Sequence, residues 1–78
     1  MLYARELIEF MGAWPGRDFK MVELVGYIAN GRVLDIREKR AVRKAALRAV
    51  EALSASGCIL VRPPRASRGG FAHYRWKA

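Results

Sequence analysis

Arg37, Arg40, Lys44 and Arg48 recur at intervals of three, four and four, the spacing that stacks side chains along one face of an α-helix. Such a row of cations suits the binding of a polyanion. Like charges one turn apart repel and cost helix stability, and that cost is offset when something negative lies along the face. Glu51 continues the same line one turn later, and Glu38 is the only acid between Ile36 and Arg48. A solvated surface face is the plainer reading of basic residues on a helix; the single sign of this stripe favours binding.

Catalytic chemistry has little to work with. Cys58 and His73 are the sole cysteine and histidine, and both fall on extended segments. They could be neighbours there, but no third group is evident to orient them, so a buried strand thiol and a partly exposed strand histidine are expected. A single cysteine excludes an internal disulfide and a cysteine-based metal site. The acids are scattered or placed as helix caps, and no glycine loop is followed by Lys-Ser or Lys-Thr. The chain therefore reads as a binding protein rather than an enzyme, with neither metal nor cofactor expected. Gly69-Gly70 read as turn residues that tolerate positive φ.

The stripe belongs to one long segment, from Asp35 to Gly57. On a helical wheel, Val42, Ala46, Ala49, Val50 and Leu53 fall opposite the cations, which predicts a helix buried on that side. Asp35 with Glu38 three residues on resembles a capping box, and Gly57 supplies the left-handed residue that ends a helix. Upstream, residues 2–13 read as a first helix. Its apolar arc is Tyr3, Leu7, Phe10, Met11 and Trp14, with Trp14 as a core plug, before Trp14-Pro15-Gly16 turns the chain. Asp18 is placed to cap a second helix over 19–30. Its expected buried arc is Met21, Val22, Val25, Ile28 and Ala29, with Lys20, Glu23 and Tyr27 facing outward and Asn30-Gly31 as the stop. Downstream, 58–62 reads as a strand ended by Pro63-Pro64. Residues 71–77 alternate, with Ala72, Tyr74 and Trp76 on one face. The expected fold is α+β, one domain over 1–78, with three helices followed by a two-stranded hairpin that leans on them.

Composition sharpens the partner class. The 78 residues carry a formal net charge of +8, and the charge is unevenly placed. Residues 1–35 hold four basic and five acidic side chains, whereas residues 36–78 hold eleven basic and two acidic. An anionic partner contacted by the second half is implied. A membrane surface is disfavoured, because the side of the long helix opposite its cations is Ala and Val rather than the Trp, Phe or Leu of an interfacial helix. No apolar run is long enough to span a bilayer, and MLYARELIEF lacks the pattern of a signal peptide. Nucleic acid is the usual anionic partner, and a cytoplasmic location is the expectation.

The order helix, helix, basic helix, hairpin resembles the winged helix-turn-helix DNA-binding domains. The likeness is carried by ALRAVEALSASGCILVRP over 46–63, where Leu53 and Gly57 match the Leu and Gly that end the family's recognition helix and Cys58-Ile59 match the apolar pair that follows. FKMVELVGYIA (19–29) is similar to the preceding helix, with Glu23-Leu24 at its Glu-Leu; RASRGG (65–70) matches the wing loop and HYRW (73–76) the returning strand. The likeness covers residues 19–77. It implies that the helix from Asp35 enters a major groove and that the wing reaches phosphates or a neighbouring groove. Two departures stand out. The helix starts early, and it holds few of the Ser, Thr, Asn or Gln residues that read base edges, leaving Arg to bind guanine or phosphate.

The expected function is double-stranded DNA binding, as a small regulator of transcription or of another DNA transaction. Its basic recognition helix spans about 35–56 and its basic wing 62–71. Arg37, Arg40, Arg43, Lys44 and Arg48 form the groove-facing set, Arg65 and Arg68 the wing contacts, and Lys20 and Arg17 touch phosphate near the start of the second helix. The alternative is a protein-interaction module in which the stripe docks an acidic protein; RNA is a third candidate. No helix is left over for a dimer interface, which favours a monomer. Leu47 lies on the exposed side of the long helix and suits three roles: contact with a neighbouring element, a thymine methyl, or a protein partner.

Overall fold

The computed structural model describes residues 1–64 and 71–77. It is α+β: α1 (Ala4–Gly12), β1 (Asp18–Phe19), α2 (Met21–Ala29), α3 (Ile36–Ala55), β2 (Ile59–Arg62) and β3 (His73–Trp76). The strands form one antiparallel sheet in the order β1-β3-β2. β2 and β3 pair in the register Ile59↔Trp76 to Arg62↔His73, so the expected hairpin is present. β1 adds a third strand through Asp18↔Arg75 and Phe19↔Tyr74.

The core lies where the three helices meet the inner face of that sheet. Leu7 and Met11 of α1, Leu24 and Ile28 of α2, and Val42, Ala46, Ala49 and Val50 of α3 close on Phe19, Ile59 and Tyr74. The small residues of α3 allow the other helices to approach closely, which explains why its buried side is Ala and Val. Aromatic contacts tie the first two helices together. Phe10 stacks on Tyr27 with ring centroids 4.2 Å apart and meets Phe19 at 4.9 Å in a tilted arrangement, separations that suit favourable ring pairs.

Several expectations are corrected. Asp18 does not cap the second helix, which begins at Met21. Lys20 is the cap residue, and its N–H donates to the Glu23 carboxylate at 3.0 Å. Asp18 is drawn into the sheet instead, because two arginines wait there. Arg75 Nε donates to Asp18 Oδ1 at 2.9 Å, and Arg62 lies 3.5 Å from Oδ2. Trp14 is not a core plug. α1 ends at Gly12, so the helical arc no longer governs Trp14, which is 55 % exposed; Phe19 fills the core in its place. Val22 is 72 % exposed, while Leu24 is fully buried on α2, so the buried face is rotated from the one expected.

The turns follow local chemistry. Asn30 and Gly31 both take positive φ after α2, and Gly57 does so at φ +83° after α3, the backbone region that glycine enters at no steric cost. The capping box at the start of α3 is formed: the Glu38 N–H donates to Asp35 Oδ1 at 2.7 Å, and the Asp35 N–H donates to Glu38 Oε1 at 3.2 Å.

Candidate nucleic-acid interface

α3 is 20 residues long, yet its buried residues begin only at Val42. Every residue from Ile36 to Ala41 is exposed. This first stretch lies outside the buried core, fixed by its capping box and by the buried Leu34 just before it. It carries Arg37, Lys39 and Arg40. Cations near a helix N-terminus oppose the macrodipole, so the exposed first turns carry a concentrated positive potential offset locally by Asp35 and Glu38.

Arg37, Arg40, Lys44 and Arg48 are all exposed, as is Arg43, and they lie away from the buried Val42, Ala46, Ala49 and Val50. Among the described residues none of the five makes an ion pair with a carboxylate. Arg43 sits to one flank of the row. It shares a recess with Lys20 at the start of α2 and with Phe71 at the base of the β2–β3 connection. The Lys20 ammonium lies 5.2 Å from the Phe71 ring centroid, within the range of a cation–π contact. The start of α2, the middle of α3 and the base of the hairpin therefore open on one surface. On the other flank, Lys44 and Arg48 border a second recess with Met1, Leu2, Ala41 and Ala45.

Arg17 is placed differently. Its guanidinium pairs with Glu23 at 3.2 Å and lies over the Phe19 ring at 4.7 Å. It is engaged within the fold, beside the turn that follows α1. Arg65 and Arg68 lie outside the described residues. Leu47 is 38 % exposed on α3.

The outer face of the sheet forms a second charged cluster that sequence reasoning missed. Asp18, Arg62, His73 and Arg75 border one recess with Leu60 and Val61. The hydrogen bond from Arg75 outweighs the partial burial of Asp18, and with the charges of Arg75, Arg62 and His73 it holds the carboxyl below its ordinary range. This cluster clamps β1 to β3 and β2. The only early signal for it was an acid 57 positions from its arginine, and no local pattern reveals such a pairing.

The pair considered for nucleophilic chemistry is not assembled. The Cys58 carbonyl accepts from the Lys77 N–H, while His73 pairs with Arg62, so thiol and imidazole stand at opposite ends of the hairpin. Among the described residues, no group of three or more metal-ligating side chains gathers, and no helix is long and apolar enough to cross a membrane. Searches of protein-family models, curated proteins and solved structures give no match to this chain.

Proposed function

We propose that this domain binds double-stranded DNA in the manner of a winged helix-turn-helix protein, with α3 as its recognition helix. The observation that carries the reading is the exposed start of α3: six exposed residues, Ile36 to Ala41, hold three cations and none belongs to the buried core. A segment that costs ordering entropy and electrostatic repulsion without burying surface is accounted for by an anionic ligand. Arg37 and Arg48 are eleven positions apart, or about 16 Å along the helix axis. That exceeds the ~12 Å width of the major groove, so on a helix crossing the groove the two ends reach phosphates on opposite banks. Arg40, Arg43 and Lys44 then lie between them, over the phosphates or the base edges of the groove. Lys20 contributes a phosphate contact from the start of α2, and Arg65 and Arg68 act from the wing. Arg17, held by Glu23, contributes least of the basic set.

The test is a fluorescence titration of the domain against random duplex DNA at two salt concentrations, with duplex RNA and an acidic polypeptide as competitors. Salt-dependent binding to duplex DNA that RNA displaces poorly supports the reading. Displacement by the acidic polypeptide at equal charge would transfer the stripe to a protein partner.

A further inference from the structure

On the side of α3 away from Met1 and Leu2 runs a groove of about 480 Å³ between α2 and α3. Its floor is apolar: Met21, Val22, Val25, Ala29 and Leu34, with Gly26 at the centre. Its rim is cationic: Arg32, Lys39 and Arg43 border it, and no carboxylate does. Arg32 is held in place by its Nε–H, which donates to the Ala29 carbonyl at 3.1 Å.

Gly26 is the informative residue. It lies mid-helix, where glycine costs about 1 kcal/mol relative to alanine. A Cβ built there meets nothing within 4 Å among the described residues, so their packing does not explain the missing side chain. Bare backbone at the floor of an open groove allows close approach from outside. Val22 beside it is 72 % exposed, an apolar side chain on the wall of the same groove. A polyanion such as DNA needs the rim but gains nothing from this floor, because phosphate and sugar do not bury valine and methionine well. A ligand that satisfies both must carry apolar anchors flanked by acids.

We propose that the α2–α3 groove is a docking site for an acidic amphipathic helix of a partner protein. Its apolar stripe seats over Gly26 between Val22, Val25 and Leu34, and its carboxylates meet Arg32, Lys39 and Arg43. This is the helix-in-groove mode of peptide recognition, in which anchors at i, i+3 or i+4 and i+7 fill an apolar channel. The groove shares Lys39 and Arg43 with the DNA-binding reading, whereas the stripe residues Arg37, Arg40, Lys44 and Arg48 do not line it, so the two sites are told apart by variants outside the shared pair.

The experiment uses a fluorescein-labelled peptide of about 15 residues, a length at which helices are marginal in water, built from Leu, Ala and Glu with leucines on one face. A second peptide carries Lys at every Glu position. Binding of the acidic peptide to the intact chain, with amide shifts confined to Val22, Val25, Gly26 and their neighbours and no binding of the basic one, is the expected result. Gly26→Leu fills the groove where a side chain meets no neighbour, so it should weaken the peptide by roughly tenfold or more while the melting temperature holds or rises. Lys39→Glu with Arg32→Glu should weaken the acidic peptide and admit the basic one. Equal binding of both peptides, no binding of either, or an unchanged affinity for Gly26→Leu would overturn the proposal. A duplex-DNA titration that moves Val22, Val25 and Gly26 when the peptide does not would assign the groove to nucleic acid instead.

Discussion

The triple substitution Arg40→Ala, Lys44→Ala, Arg48→Ala separates a binding face from a solvated one. All three side chains are exposed, and none contributes to the buried set of α3, so folding survives their removal. Stability should rise slightly. Arg37–Arg40, Arg40–Lys44 and Lys44–Arg48 are like-charge pairs at i,i+3 or i,i+4 spacing, and relieving about 0.2–0.5 kcal/mol for each sums to roughly 0.6–1.5 kcal/mol. Against duplex DNA, each lost phosphate contact lowers the slope of log affinity against log salt by about 0.9, so the triple variant loses up to about 2.7. Over a fourfold rise in salt, from about 50 to 200 mM, the wild type should then lose between roughly threefold (one contact) and fortyfold (all three) more affinity than the variant. Fluorescence anisotropy at several salt concentrations measures both slopes, and a denaturant melt of the same preparations measures the stability change. If one of the three reads guanine, its single alanine variant should lose about 1–3 kcal/mol on a preferred site and much less on random duplex. A triple variant with wild-type affinity and slope would refute the reasoning and leave the stripe as a solvated face.

Other perturbations test the fold and the wing. Leu24→Ala should cost about 2–5 kcal/mol in urea unfolding, because Leu24 is fully buried between the helices; a loss under about 1 kcal/mol would mean that the core is not built around it. Gly57→Ala should destabilise by about 1 kcal/mol or more, since φ there is +83° and only glycine adopts it freely. Asp18 has a depressed folded-state pKa, so its contribution is present above the ordinary aspartate value of 3.8 and is lost as pH falls through the lower folded value. Asp18→Asn should flatten the acid limb of a stability-against-pH profile, and an unchanged limb would remove the sheet clamp from the account. Arg65→Ala with Arg68→Ala should weaken DNA binding at an unchanged melting temperature, and unchanged affinity would take the wing out of the interface.

What was legible in the chain was local. The capping box at Asp35 and Glu38, the stop at Gly57 and the Asn30-Gly31 turn each depend on residues within a few positions of one another, and each is formed. The hairpin was legible because alternation over 71–77 put Tyr74 and Trp76 on the face that packs on the core. β1 was not, because two residues carry no periodicity and their partners lie at the far end of the chain. Asp18 is a good N-cap by type, and the long-range ion pairs with Arg75 and Arg62 overrode that preference. On α2, the expected arc was rotated by about 50° at 100° per residue. The true core direction is set by α1 and α3, which face Leu24 and leave Val22 outside. The stripe itself was fully legible, as was its position opposite the core. That Arg43 meets Lys20 and Phe71 and that Arg17 is taken by Glu23 depend on how the elements pack.

The two halves of α3 answer to different demands. From Val42 onward, small apolar residues recur at the spacing that seats the helix against α1, α2 and the sheet, and burial holds that half in place. From Ile36 to Ala41 there is no such burial, and the positive charge of Arg37, Lys39 and Arg40 works against the dipole at that end. Local devices must hold it helical, and the chain supplies them together: a reciprocal capping box, and the buried Leu34 that fixes the approach of the chain. The first half is thus held helical by local devices without being buried. On the proposed DNA-binding reading, a helix held in this way would present its side chains to the duplex with little further ordering cost, whereas the same residues on a flexible arm would lose that advantage on binding. That reading would account for a helix of 20 residues whose buried positions begin only at Val42.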